Sequence, residues 1–462
     1  MKNAENRWTT CQFFNSCGRI RLIYYGKGEP FMSNRTTSLR EENVWRSELK
    51  AGITAAGTLL AGFVVVPNLL VQAGMSFTGA YTAYAITSLM GTLCMAWLRL
   101  PLLLAPETAV AGWLVCLVSI SQGVSWQQLL GLTAAASLVG AGLWSTTAGC
   151  RIVESLPESV RQALPGGFGL MLILMGLSQG RLVISSPWSL TMLGNFQDPL
   201  VYFGLLGIIA TLALLAMKVH GALLYGMLVT AVLALLEGFW VLPAAPFLLP
   251  EGLEYTAGQL NLLPANGAEA ARLAGTGLAL LLVLGSLNFG SLRALCPEAA
   301  KDRRVLPVVF GVSLLGSLLG SLPVTIAPAS AGGVMSGGRG RLTAVFAAAV
   351  LLLALCCEPV LACMADFPVM TVPVLTVSGL LLLQQSLQEL NHGVGTMDLV
   401  DLVPAACLLI VMPLSWNIAA GLGTGILSWC LMHVCAGQFR RIRLGTWLLA
   451  AAFLLYFLYG SL

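Results

Sequence analysis

The chain has 462 residues, of which 57% are hydrophobic and 10% charged, with a formal net charge of +4. Soluble domains carry about 25% charged residues, so an ordinary soluble globular protein is excluded. The small positive excess gathers at the N-terminus and in short loops, which speaks to membrane topology and not to nucleic-acid binding.

Residues 1–45 are polar and basic, with Arg7, Arg19, Arg21, Lys27, Arg35 and Arg40, and form neither a signal peptide nor a spanning helix. They are expected to be a disordered cytoplasmic tail, and Met32 offers a shorter start than Met1. Residues 46–240 read as a first repeat with apolar segments at about 51–73, 78–97, 101–121, 127–148, 164–183, 199–217 and 220–240. A loop at 241–270 follows, expected outside. Residues 271–462 form a second repeat with segments at about 273–293, 304–321, 324–336, 342–363, 368–386, 402–416 and 417–436. A final stretch, 444–460, either spans or lies at the interface. The fold class is therefore an all-α polytopic membrane protein with about 14 transmembrane segments.

Loop charges agree with this layout. Counting from a cytoplasmic N-terminus places Arg99, Arg151, Arg161, Lys218, Arg293 and Arg303 inside, with Arg339, Arg341, Arg440, Arg441 and Arg443. Arg181 and Arg272 alone fall near outer span ends, and the outer loop carries Glu251, Glu254 and Glu269, as the positive-inside rule expects. An odd number of segments per half makes the second repeat inverted, as in many secondary transporters.

Two stretches interrupt the helical pattern at matching places. Pro101–Gly112 reads P-L-L-L-A-P-E-T-A-V-A-G, and Pro323–Gly333 reads P-V-T-I-A-P-A-S-A-G-G, 222 residues on (101 to 323). Proline lacks an N–H and clashes with the preceding turn, so the third and tenth segments must be broken and contain short extended stretches. Broken backbone at membrane depth survives only where protein or a wet cavity satisfies it, and paired breaks point to a transporter's binding site. Glu107 sits inside the first break, and an intramembrane acid is costly enough that it is rarely idle. It is expected to bind polar N–H donors and carry a coupled proton; the plainer reading is a helix-start acid favoured by the local dipole. Ala329 is its repeat equivalent. Thr108 and Ser330 are likewise equivalent and line the site or cap half-helices. Ser286 and Asn288 could hydrogen-bond a ligand or only pack helices. Glu237 and Glu358 read as interfacial acids at span ends. The 12 cysteines and His220, His392 and His433 form no metal-site spacing, so no cofactor or metal is expected. The cysteines read as buried thiols packed like small hydrophobes.

Several stretches resemble the adenine/guanine/hypoxanthine permease branch of the xanthine/uracil permease (nucleobase:cation symporter) superfamily. These are E-L-K-A-G-I-T-A-A-G-T-L-L-A-G-F-V-V-V-P-N-L-L from Glu48, G-T-L-C-M-A-W-L-R-L-P-L-L-L-A-P from Gly91 and S-W-Q-Q-L-L-G from Ser125. G-V-M-S-G-G-R-G-R-L-T-A-V from Gly333 and I-V-M-P-L-S-W-N-I-A-A-G from Ile410 complete the match. The resemblance implies two inverted seven-helix repeats, divided into a core and a gate, and proton-coupled uptake of a purine base where the broken segments meet. It also matches Arg339 to a family arginine, which positive-inside topology would equally explain.

The sequence departs from the family at the acids. A pattern like I-E-S-A-A-G-V becomes Pro328-Ala329-Ser330-Ala331-Gly332-Gly333-Val334, with Ala329 at the glutamate position. A pattern like D-L-F-D-T-x-G-T becomes L-G-S-L-N-F-G-S from Leu284, with Asn288 its only amide. A-P-G-M-G-L-N-A becomes A-P-E-T-A-V-A-G, which loses the asparagine at Ala111 and gains Glu107. The carboxylate has moved to the mirror-image segment. The expected function is a secondary transporter in the cytoplasmic membrane, moving a purine base with a proton by alternating access, and not an enzyme. It would sit in the bilayer, with a homodimer open to it. The alternatives are a transporter or facilitator of another small heterocycle or anion, and a transport-dead relative that senses or scaffolds.

Overall fold

The computed structural model describes residues 34–459, apart from 218, 220, 240–242, 244, 246, 249, 265, 366 and 394–397. The expectations for residues 1–33, including a start at Met32, and for His220 lie outside the described residues. The chain forms two compact units, residues 1–46 and 47–462. In the first, the described residues are helical.

The helices and strands run in chain order as α1 (Asn34–Gln72), α2 (Phe77–Trp97), β1 (Leu104–Pro106), α3 (Thr108–Gly112), α4 (Trp126–Ser145), α5 (Thr147–Glu154) and α6 (Glu158–Gln179). A small hairpin, β2 (Val183–Ser185) and β3 (Thr191–Leu193), leads to α7 (Pro199–Ala216) and α8 (Ala222–Leu236). Then come α9 (Gly267–Leu295), α10 (Val305–Leu319), β4 (Val324–Ile326), α11 (Ala329–Met335), α12 (Arg341–Cys356) and α13 (Glu358–Ala365). The last are α14 (Val372–Gly393), α15 (Leu399–Ser415), α16 (Ile418–Cys435) and α17 (Leu444–Tyr459). After α3 the chain winds wider, as a π-helix over Trp113–Ser121.

Among the described residues, seven helices are long and apolar enough to cross a membrane, or eight if α12 and α13 count as one bent span. Five shorter apolar helical stretches of 10–17 residues accompany them. The expected segments recur with shifted ends, and two of the shifts have a local cause. The stretch expected from 164 begins at Glu158, because Pro165 lies inside α6 and not at its start. Ser386 of α14 donates to the Gln162 carbonyl at 2.7 Å, supplying a partner in the turn that the proline disturbs. The stretch expected to run through 342–363 bends by 75° between α12 and α13. The Leu248 N–H caps the Cys356 carbonyl there at 3.0 Å, and the Tyr81 hydroxyl donates to the Ala354 carbonyl.

Glu48 of α1 is buried and caps α12. Its carboxylate accepts the Arg339 N–H and the Thr343 N–H, each at 3.0 Å, and the Thr343 hydroxyl. A helix start has N–H groups without intrahelical partners, and in hydrocarbon no water can serve them.

The helices of the large unit pack as two groups. One contains α2, α4, α9, α10 and α12; the other contains α6, α7, α8, α14, α15 and α16. In the second, α6 and α14 approach so closely that a Cβ on Gly169 or on Gly379 would meet the other's carbonyl oxygen. Small residues permit such contact where no hydrophobic force drives helices together.

Candidate functional site

The two proline-bearing motifs meet. β1 and β4 pair antiparallel, with Leu104 opposite Ile326, Ala105 opposite Thr325 and Pro106 opposite Val324. One residue further on, the Ala327 N–H donates to the Leu103 carbonyl at 2.9 Å. Leu104 and Ile326 are 222 residues apart (104 to 326), the same offset that aligns the two motifs. Each broken segment thus supplies the hydrogen-bonding edge that the other lacks, and all six strand residues are buried.

Side chains satisfy the rest of the broken backbone. Ser313 of α10 donates to the Val324 carbonyl at 3.0 Å and accepts the Val324 N–H at 2.9 Å. Asn288 of α9 accepts the Ile326 N–H on Oδ1 at 2.8 Å. Ser330 of α11 accepts the Leu103 N–H at 2.9 Å and donates to the Leu103 carbonyl at 3.3 Å. Two residues singled out from the sequence, Asn288 and Ser330, therefore hold the breaks together. Asn288 Nδ2 and Thr325 Oγ1 are buried with no partner among the described residues, so each keeps hydrogen-bonding capacity. Ser286 is also buried and donates into its own helix, to the Leu282 carbonyl at 2.7 Å.

Glu107 is the last extended residue before α3, with φ −77° and ψ 131°. Its carbonyl accepts the Ala111 N–H at 2.9 Å, while its side chain makes no capping bond. The Ala109 N–H of α3 nonetheless acts on the Glu107 carboxylate, as the plainer reading of a helix-start acid expects. Glu107, Thr108 and Ala329 are half-buried. The buried Tyr84 of α2 stacks edge-on to Phe63, ring centroids 4.8 Å apart, with its hydroxyl in electrostatic reach of the Glu107 carboxylate. Nothing in the sequence pattern marked Tyr84 out from the other hydroxyls of α2.

The site lies where the two helix groups meet. β1 packs on α2 and β4 on α9 and α10, whereas α3 touches α6. A Cβ on Gly112 would meet the Trp416 ring at 3.6 Å and the Met175 sulfur at 3.9 Å. Trp416 joins α15 to α16 in the left-handed conformation, φ 51° and ψ 25°, which costs a bulky residue of order 1–3 kcal/mol. The next residue fixes it: Asn417 accepts the Ala420 N–H at 3.0 Å and donates to the Tyr456 hydroxyl at 3.1 Å. The S-W-N run was visible in the sequence, but its position beside α3 was not.

The remaining candidates fall elsewhere. Glu237 is exposed. Glu358, expected at an interface, is buried against the protein, and its Oε2 has no partner among the described residues. It heads α13 at the 75° bend. Arg339 gives its backbone N–H to Glu48. The described free cysteines are mostly half-buried rather than fully buried, Cys430 being the buried one. Among the described residues no three His, Cys, Asp or Glu side chains gather as metal ligands.

Comparison with known proteins gives a consistent result. No protein-family model matches the chain. It is 28% identical over 425 residues to the adenine permease AdeQ of Escherichia coli, covering 89% of this chain and 92% of that one. It is 27% identical over 416 residues to the guanine/hypoxanthine permease PbuO of Bacillus subtilis, covering 86% and 93%. Among solved structures, the transmembrane domain of the cyanobacterial bicarbonate transporter BicA superposes with a TM-score of 0.57 at 17% identity, over 81% of this chain and 97% of that chain. That likeness speaks to fold alone. The resemblance to the adenine/guanine/hypoxanthine permease branch is thereby borne out, and the chain is a multi-pass membrane protein of the permease kind.

Proposed function

We propose that this permease, a relative of the nucleobase permeases, takes up a purine base together with a proton across the cytoplasmic membrane. Its fold is taken as two inverted seven-segment repeats, about 14 segments in all. The observation that carries the reading is the β1–β4 pair, in which Leu104 faces its repeat equivalent Ile326, with the Glu107 carboxylate just past the end of β1. Purine bases present N–H donors and ring acceptors in one plane. A carboxylate accepts such donors, and the unpartnered Asn288 Nδ2 offers a donor to a ring acceptor. Binding a cationic proton and a base at one carboxylate couples the two without further machinery. The site sits between two helix groups, so movement of one group past the other would open it to alternate sides. Thr108 and Ala329 line the same region, and Ser330 and Ser286 act by shaping it.

The test is uptake of labelled adenine, guanine and hypoxanthine by cells lacking their own purine permeases, with and without an uncoupler. Uncoupler-sensitive uptake that Glu107→Gln abolishes, at unchanged membrane expression, is the expected result. Uptake that survives Glu107→Gln removes the carboxylate from the mechanism. Failure to move any of the three bases refutes the purine assignment.

A further inference from the structure

Tyr84 of α2 carries a hydroxyl that the fold houses without using. The side chain is buried, and its Oη makes no hydrogen bond to any described residue. A buried hydroxyl without a partner is costly, so keeping one calls for a reason. Other buried helix hydroxyls are absorbed locally: Thr211 donates to the Gly207 carbonyl and Ser286 to the Leu282 carbonyl, each at 2.7 Å. A tyrosine ring holds its hydroxyl too far from its own backbone for that.

Packing fixes where this hydroxyl sits. The ring stands edge-on to Phe63 of α1, centroids 4.8 Å apart. A Cβ on Gly62 would overlap the hydroxyl itself, so α1 leaves room for it. One side of α2 lies on β1, where a Cβ on Gly91 would meet the Leu104 Cβ at 2.7 Å. Glu107 follows β1 directly. The Tyr84 hydroxyl lies in electrostatic reach of the Glu107 carboxylate and beside Ser88, whose own buried hydroxyl also lacks a partner. Among the described residues no charged side chain acts on Glu107; the Ala109 N–H does.

When a base and a proton leave Glu107, the carboxylate becomes an anion and loses the N–H donors of the base. An anion shielded from bulk water needs replacement donors. A hydrogen bond from a hydroxyl to a carboxylate is about twice as strong as one between neutral groups. We propose that Tyr84 is a positioning residue that donates to the Glu107 carboxylate in the empty transporter, standing in for the departed base. It thereby stabilises the unloaded form, which must return before another cycle can begin. This role rests on the proton-coupled reading of Glu107.

The test places the full chain in proteoliposomes and compares Tyr84→Phe with wild type, using whichever of adenine, guanine and hypoxanthine the wild type moves. Two modes are read: net uptake driven by a pH gradient, and exchange of labelled for unlabelled base at equal pH. Net uptake includes the return of the empty transporter, whereas exchange does not. Tyr84→Phe is expected to lose net uptake and keep exchange at the wild-type rate. Its melting temperature should not fall, because the hydroxyl removed has no partner. Wild-type net uptake in Tyr84→Phe, or equal loss of both modes, overturns the proposal. A wild type that moves none of the three bases refutes the purine reading, and infrared difference spectra between low and high pH, taken without substrate, then decide the role of Tyr84. The carboxylate band that disappears in Glu107→Gln belongs to Glu107. A shift of that band in Tyr84→Phe supports the hydrogen bond, and an unshifted band overturns it.

Discussion

The Ser330 hydroxyl accepts the Leu103 N–H at 2.9 Å and donates to the Leu103 carbonyl at 3.3 Å, joining residues 227 positions apart. One side chain thus closes both backbone valences of the residue just before β1. Ser330→Ala should leave that buried N–H without a partner, a loss of about 1–3 kcal/mol, seen as a lower melting temperature of the detergent-purified protein. Ser330→Thr, which keeps the hydroxyl, should melt closer to wild type. An unchanged melting temperature in Ser330→Ala would mean the clamp contributes nothing.

Glu107 and Ala329 occupy equivalent positions in the two broken segments. Glu107→Ala should reduce purine affinity by the loss of a charge-assisted hydrogen bond, about 1.5–3 kcal/mol or roughly 10- to 150-fold. The double change Glu107→Ala/Ala329→Glu returns a carboxylate to the mirror position and should recover part of that loss. Purine-dependent thermal stabilisation of each variant reads this directly; a double variant no better than Glu107→Ala shows that the two positions are not interchangeable.

Glu48 has a structural role at the start of α12. Its carboxylate serves two N–H groups and a hydroxyl at the start of α12. Glu48→Ala should cost on the order of 2–3 kcal/mol, the range for hydrogen bonds to a buried charged group. Thermal melting should fall accordingly, and substrate affinity of the surviving folded fraction should stay at the wild-type value.

Gly169 and Gly379 allow the backbones of α6 and α14 to touch. Gly379→Ala should force the helices apart at a cost of about 1–3 kcal/mol. The melting temperature should drop, and a compensating change is not available at Gly169, which is already the smallest residue.

Trp416→Gly should relieve the left-handed backbone at that position, a gain of order 1 kcal/mol set against lost packing. Melting should therefore change little, while uptake should fall because the ring beside α3 is gone. Normal uptake by this variant would remove Trp416 from the site.

The sequence by itself determined the class and the breaks. Composition fixed a membrane protein, because too few charges exist to cover a soluble surface. Spacing of apolar runs located the helices, because length and hydropathy are local quantities, though ends such as the start of α1 at Asn34 lay well beyond the apolar run. The duplicated prolines marked β1 and β4 for the same reason: a missing N–H is a property of the residue. The carboxylate at Glu107 stood out because an acid in an apolar run is conspicuous wherever it lies. What only the tertiary structure decided was which groups are already in use. Asn288 and Ser330, candidate ligand residues from the sequence, also bind Ile326 and Leu103, contacts that link positions 38 and 227 residues apart and leave no trace in local pattern. Tyr84 and Trp416 reach the site, and Glu48 its cap, through the packing of distant helices. The Leu248 N–H that meets the Cys356 carbonyl at the α12–α13 bend likewise comes from a distant part of the chain. In hydrocarbon every broken hydrogen bond must find a partner, and which partner it finds is set by three-dimensional proximity.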